Sequence, residues 1–184
     1  GETYNILASL NDNIEVSNPI KLDFKLTDIN DKTIYDSSYN GAYSRSLVSV
    51  EKYLKKYPSI VLTLDVHRDA IHYDGGTKSK PTAEINNKKA AQVMLVMGSQ
   101  SGSVTNFPNW QENLKLALRV QAKIEEKYPT LARPLSLVSR NYNESLTKGS
   151  MLIEFGTDVN TIDEVSRSAE YVGDALSQVL EELK

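Results

Sequence analysis

Apolar residues along this chain fall into two patterns, short continuous runs and longer stretches that recur every three or four positions, and the two alternate. The run Ile60 to Val66, within Ser59-Ile-Val-Leu-Thr-Leu-Asp-Val66, is rich in β-branched residues and leucine, as in a central strand covered on both faces. Ahead of it, Ser44 to Tyr57 sets Leu47, Val50, Tyr53, Leu54 and Tyr57 on one helical face, and Pro58 ends the helix. A second apolar run, Gln92 to Gly98, predicts another strand, and a shorter one is expected near Pro81 to Ile85. From Trp110 to Tyr128 the positions Trp110, Leu114, Ala117, Leu118, Val120 and Ile124 make a broad apolar stripe, which predicts the longest internal helix, stopped by Pro129. Trp110 is expected in the core.

Leu135 to Val138 and Met151 to Phe155 read as two further short strands, with the polar stretch Ser139 to Ser150 between them as a loop. The chain closes on a helix: Thr161-Ile-Asp-Glu164 has capping-box spacing, and Ile162, Val165, Ala169, Val172, Leu176, Val179, Leu180 and Leu183 follow at helical period. This alternation predicts an α/β fold with a mostly parallel or mixed central sheet and helices on both faces. Residues 1 to 40 carry weaker signals, with strand candidates around Ile20 to Leu26 and a polar segment without period from Asn11 to Asn18. No repeat or Gly/Ser linker divides the chain, so residues 1–184 are read as one domain.

Composition narrows the function classes. The hydrophobic fraction of 40% and charged fraction of 24% are those of a globular domain. Lys and Arg number 21 against 24 Asp and Glu, a net −3 without the basic excess that phosphate neutralisation demands, so nucleic acid is not an expected partner. With no cysteine, thiolate metal sites, disulfides and cysteine nucleophiles are excluded. No apolar run reaches the roughly 18 residues of a membrane span. Gly1 is neither an initiator methionine nor the start of a signal peptide, which suggests a domain truncated at its N-terminus.

Two residues stand out for chemistry. His67 follows the strand Ile60 to Val66 directly, and ligands in open α/β sheets gather at the carboxyl ends of strands, so it is either a metal ligand or a hydrogen-bonded structural histidine. Glu154 ends the apolar run Met151-Leu-Ile153, where a carboxylate needs a cation, a proton role or an ion pair to Arg68 or Arg140. His72, in the loop before Asp74-Gly75-Gly76, reads first as a solvated loop residue. A hydrolytic zinc site takes three ligands from His, Asp and Glu plus a water, and this chain has two histidines. There is no G-x-S-x-G elbow, Walker A sequence or G-x-G-x-x-G, and Gly98-Ser-Gln-Ser-Gly102 is a turn-rich loop. Tyr39 and Tyr43, flanking Asn40-Gly41-Ala42, could line a sugar or peptide groove or simply pack with their hydroxyls in water.

Four segments carry a family resemblance. Ser38-Tyr-Asn-Gly-Ala-Tyr-Ser-Arg-Ser46, Leu64-Asp-Val-His-Arg-Asp-Ala-Ile71, Pro108-Asn-Trp-Gln-Glu-Asn-Leu114, and Leu152-Ile-Glu-Phe-Gly156 with Asn160-Thr161, resemble in order the motifs of the stage II sporulation protein P family. That family belongs to the zinc N-acetylmuramoyl-L-alanine amidases, whose fold is phosphorylase/hydrolase-like. The resemblance implies that His67 is a zinc ligand, that Glu154 is the catalytic acid/base, and that Arg68, Asp69 and Asn40 serve the substrate around them. Glu2-Thr3-Tyr4 resembles the tail of the family's amino-terminal His-Thr-His motif, which makes Glu2 a further zinc ligand and puts the matching histidine before Gly1.

The implied activity is peptidoglycan hydrolysis during sporulation engulfment. Zinc-activated water cleaves the amide between N-acetylmuramic acid and L-alanine, with stem-peptide bonds as further targets. The resemblance also implies an extracytoplasmic place at the sporulation septum, a membrane anchor outside this chain, and cooperation with the lytic transglycosylase called stage II sporulation protein D. The sequence departs from the family's pattern at Tyr35, Phe107, His72 and Asp158. Two rivals stand beside this expectation, a non-catalytic peptidoglycan-binding domain and a metal-free serine hydrolase.

Overall fold

A computed structural model describes residues 4–8 and 40–183. The strand candidates at Ile20 to Leu26, the polar segment Asn11 to Asn18, Tyr35 and the expected ligand Glu2 lie outside the described residues. The strands are β1 (Tyr4–Ala8), β2 (Leu62–Asp69), β3 (Thr82–Ile85), β4 (Lys88–Ala91), β5 (Val93–Gly98), β6 (Ser136–Val138) and β7 (Met151–Thr157). The helices are α1 (Ala42–Lys56), α2 (Trp110–Lys127) and α3 (Ile162–Glu182). Each predicted helix and strand from residue 44 onward is present with its ends moved by a few residues.

The central sheet has the order β1-β2-β7-β5-β6. The pairs β2–β7 and β5–β6 are parallel, whereas β1–β2 and β5–β7 are antiparallel, so the sheet is mixed. A helical crossover brings a chain back parallel, but the connection from β2 to β5 holds no helix among its residues. It holds instead the β3–β4 hairpin, whose turn residues Asn86 and Asn87 have φ of 52° and 60°, the left-handed pair of a type I′ turn.

Alternation along the strands gives the sheet two unlike faces. Leu62, Leu64 and Val66 of β2, Met151, Ile153 and Phe155 of β7, and Val93, Leu95 and Met97 of β5 join one apolar cluster. Ala117, Val120 and Ile124 of α2 and Val172, Ala175, Leu176 and Val179 of α3 complete it from above. Each of the larger aliphatic side chains sealed there contributes about 1.5–3 kcal/mol relative to exposure. Phe107 is the fully buried aromatic residue of the region, while Trp110 is only half-buried. The opposite face carries Thr63, Asp65 and His67 of β2 with Leu152 and Glu154 of β7, and α1 reaches it through Tyr43.

Helix α3 starts as its sequence predicts. Thr161 Oγ1 accepts from the Glu164 backbone N–H, and the Glu164 carboxylate accepts from the Thr161 N–H. Burial would raise the Glu164 pKa, but Lys80 at 2.9 Å, the Thr161 amide and Asn160 outweigh it and hold the carboxyl at about 2. Further along, Ser168 Oγ donates to Ala91 O and Arg167 Nε to Lys89 O, tying the β3–β4 hairpin to the helix.

One glycine shapes the end of β7. The register runs His67 opposite Glu154 and then Asp69 opposite Thr157, so β7 spends one more residue than β2 over that interval. Gly156 absorbs the bulge at φ +66°, and a Cβ there would lie 2.6 Å from Asn160 Oδ1 and 2.7 Å from Ala91 Cβ. Left-handed strain and the two clashes combine, so Gly156→Ala is expected to destabilise the domain by about 2–4 kcal/mol in urea unfolding. A change below about 0.5 kcal/mol would show that the bulge relaxes freely.

Candidate active site

The site follows from the register of two strands. β2 and β7 run parallel with His67 opposite Glu154 and Asp65 opposite Leu152, while β5 puts Met94 on the other side of Glu154. Period-two alternation carries Asp65, two residues before His67, to the same face. Imidazole and two carboxylates thus share the face that lacks the apolar cluster, near the carboxyl ends of β2 and β7.

Asp65 and His67 form the closest polar pair. Asp65 Oδ1 lies 2.8 Å from His67 Nε2, off the line of a straight hydrogen bond, and Oδ2 accepts from the Tyr43 hydroxyl at 3.1 Å. The Tyr43 hydroxyl is also 3.4 Å from His67 Nε2, and the two rings lie 6° from parallel with centroids 6.4 Å apart. Burial works against the charged imidazole, but the Asp65 carboxylate 2.8 Å away, with the charge of Glu154, outweighs it and raises the His67 pKa. Burial beside Asp65 likewise raises the Tyr43 pKa, which keeps its proton on the hydroxyl.

Tyr43 owes its place to the loop before β7. Asn143, at φ 59°, donates Nδ2 to Tyr43 O at 2.9 Å and to Ser46 Oγ at 3.0 Å, and the Tyr142 ring packs 5.2 Å from that of Tyr43. The loop is itself anchored by Glu144, whose side chain is 1% exposed. Glu144 Oε2 accepts from Gly98 N–H at 2.8 Å, and its backbone oxygen accepts from Asn113 and Asn109. Burial pushes the Glu144 carboxyl up to about 8. Nothing in the sequence marked Glu144, which sits in a stretch read as a polar loop.

Glu154 is partly buried, and its Oε2 is shut off from solvent without a donor. Burial raises its pKa to about 7, opposed by His67 and Arg133 and reinforced by Asp69 and Asp65. Neither of the bases suggested by the sequence forms an ion pair with it; His67 and, less strongly, Arg133 are the bases that act on its charge. Arg133 holds Asp69 at 2.9 Å, with side chains 14% and 24% exposed, and its Nε and Nη2 are buried without acceptors. Sequence reasoning missed Arg133, which lies in a turn-like segment before β6.

The remaining candidates lie as follows. Arg68 gives Nε and Nη2 to Thr157 O, at 3.1 and 2.5 Å, and Nη2 also to Asn160 O. Asp69 accepts from Arg133 and, through Oδ1, from the Ala70 N–H. Asn40 is exposed at the start of α1, its backbone oxygen accepting from Arg45. His72 Nε2 lies 3.0 Å from Asp158 Oδ2, which also holds Lys78 at 2.7 Å on the surface. His72 and Asp158 thus meet each other.

Among the described residues no three His, Asp or Glu side chains converge as a metal-binding group. The donor chemistry suits zinc in kind, since an imidazole stands beside carboxylates and the Glu154 oxygen is buried without a partner. β1 pairs Tyr4 with Val66, the residue before His67.

A mixed α/β sheet carrying histidine and carboxylates on adjoining strand ends defines an α/β protein with a polar strand-end site. The family model for "Stage II sporulation protein P (SpoIIP)" matches residues 15–177, and the chain belongs to that family. It is 30% identical over 149 residues to "Stage II sporulation protein P" of Bacillus subtilis (strain 168), covering 77% of this chain and 34% of the relative. The chain therefore spans about a third of the length of the curated relative it matches. No solved structure matches it. Among the described residues no helix is long and apolar enough to cross a membrane.

The raised carboxyl of Glu154 makes a stability prediction for the metal-free protein. An unfolded glutamate titrates near about 4.3, so between there and about 7 the unfolded chain loses a proton that the folded one keeps, and stability falls as pH rises. Glu154→Gln removes this cost. Its stability should match that of the unaltered protein at pH 4 and exceed it by on the order of 2 kcal/mol at pH 8, in denaturant titrations with chelator present. Equal curves at both pH values would place Glu154 in solvent-like surroundings.

Proposed function

We propose that this domain is a zinc-dependent N-acetylmuramoyl-L-alanine amidase that cuts peptidoglycan during sporulation engulfment. The observation that carries the reading is the pairing of His67 with Glu154 across parallel strands, with one Glu154 oxygen buried and unpartnered. Family membership supports it, since the family match spans both His67 on β2 and Glu154 on β7. His67 and Glu2 would hold the zinc ion. When bound, zinc supplies Lewis acidity, lowering the pKa of water toward about 7 and polarising the amide carbonyl.

The chain's own residues do the rest. Glu154 takes a proton from the attacking water and returns it to the departing amine of L-alanine, a task suited to a carboxyl that titrates near neutrality. Arg133 fixes Asp69 and, with its charge, favours the ionised form of Glu154. Arg68 locks the end of β2 to the Thr157–Asn160 turn, and the exposed Asn40 would meet glycan or peptide. In the same proposal, stem-peptide bonds are secondary targets. The domain works outside the cytoplasm at the sporulation septum, on an anchor supplied by another segment, with the stage II sporulation protein D transglycosylase as partner.

The test is release of stem peptides from purified cell walls by protein extended upstream of Gly1. Glu154→Gln should keep its zinc and lose turnover by about 10²- to 10⁴-fold, and chelator should abolish activity that added zinc restores. A zinc-free protein that binds cell walls and cuts nothing would replace this reading with a peptidoglycan-binding domain. Activity that survives chelator would point to a serine mechanism.

A further inference from the structure

Glu144 is a buried carboxyl to which the proposed reaction assigns no task. Its side chain is 1% exposed, and an ionised carboxylate at that depth is retained only with a cation or a full set of donors. Its oxygens have neither. Oε2 accepts from the Gly98 N–H of β5 at 2.8 Å, whereas Oε1 is shut off from solvent without a hydrogen-bond partner. Among the described residues the charged group that acts on it is Asp65 of β2, like in sign, and the α2 side now beside it is formed by the neutral amides of Asn109 and Asn113. Asn113 carries a matching orphan. It is wholly buried, its Nδ2 donates to Glu144 O at 2.8 Å, which fixes the way the amide faces, and its Oδ1 has no partner. With Glu144 ionised, two buried oxygens lack a donor; a proton on Oε1 turns one of them into a donor.

We propose that Glu144 is held as the neutral acid and serves as a latch: protonated, it pins the loop that keeps α1 and Tyr43 on the His67–Glu154 face, and loss of that proton loosens them. The line of contact is short. Glu144 fastens the loop to β5 and α2, while its neighbour Asn143 donates to Tyr43 O and Ser46 Oγ of α1, and the Tyr43 hydroxyl reaches Asp65. An ionised Glu144 must swing toward water or admit it, and either move disturbs the loop that carries Asn143. Burial favours the proton, the Gly98 and Leu152 amides oppose it, and Asp65 reinforces it, which leaves the carboxyl at about 8. In an opened loop the solvated glutamate titrates near about 4.3, so from there to about 8 each pH unit favours opening by about tenfold. The latch goes beyond the amidase reading and stands whether or not the domain cuts cell walls.

Two measurements on metal-free protein test it. At about pH 6 the infrared difference between the unaltered protein and Glu144→Gln should show the carbonyl band of a protonated carboxyl, fading as pH rises with its midpoint near 8. Hydrogen exchange supplies the second, in α1 amides that exchange faster than those of α3 and so by local opening. Corrected for intrinsic rates, their opening should grow by about 100-fold between about pH 5.5 and 7.5 relative to Glu144→Gln, which keeps the shape and donor of the neutral acid. Glu154 is present in both proteins, so its own titration cancels. Should Glu144→Gln fail to fold, Asn143→Ala replaces it: with the link to α1 cut, α1 should exchange faster at low pH and lose the pH dependence. A missing carboxyl band at pH 6 overturns the proposal, because Glu144 is then ionised and a buried water supplies the donor. Opening of α1 that stays flat with pH in the unaltered protein also overturns it, leaving a neutral acid with no hold on the site.

Discussion

The parallel pairing of β2 with β7 is the interaction on which the rest of this structure hangs, because it fixes which side chains stand side by side. Slipping the register by one residue would turn His67 or Glu154 into the apolar cluster under α2 and α3. That cluster prevents the slip: Leu64 and Val66 of β2, with Met151 and Ile153 of β7, occupy the opposite face, and each is matched to its neighbour by the same register. The hydrocarbon side of the sheet therefore enforces the order of the polar side. The bulge at Gly156 then lets β7 run one residue longer than β2, so Thr157 meets both Asp69 and the turn that starts α3.

The polar side has its own support. α1 reaches the sheet with Tyr43, and it is held by Asn143 in a loop whose anchor is a fully buried glutamate. Glu144 takes the Gly98 amide on one oxygen and offers its backbone oxygen to Asn109 and Asn113 of the α2 start, so β5, α2 and the loop meet at one residue. The charged groups on this face influence one another over short distances: His67 pulls the Glu154 proton off, while Asp65 and Asp69 push it on.

Much of the fold could be read from the sequence because it depends on local periodicity. The α2 stripe and the Thr161 capping box appear almost residue for residue, and the apolar runs at Ile60, Val93 and Met151 became the three inner strands. The direction of β5 could not be read this way. It follows from the hairpin through Asn86 and Asn87, whose strands carry Glu84, Lys88 and Lys89 and so lack a clean apolar alternation. His67 and Glu154 were legible as polar residues at the ends of apolar runs, and Asp65 was legible in principle, two residues before His67 on one face of a strand. Glu144 and Arg133 were not, because burial of a charged residue in a loop is decided by distant partners, Gly98, Asn109 and Asp69, that no local pattern reveals.

Arg68 has a wider effect than its position next to His67 suggests. Its guanidinium grips Thr157 O and Asn160 O, and the next residue, Thr161, caps a helix of 21 residues that packs on α2 and on the β3–β4 hairpin. The strand end that presents the histidine is thus moored to the longest helix among the described residues. Mooring is reciprocal: whatever steadies the strand end steadies the first turn of the helix by the same free energy, and fraying of that turn slackens the strand. Loosening of the β2 end and fraying of the helix's first turn are therefore coupled events.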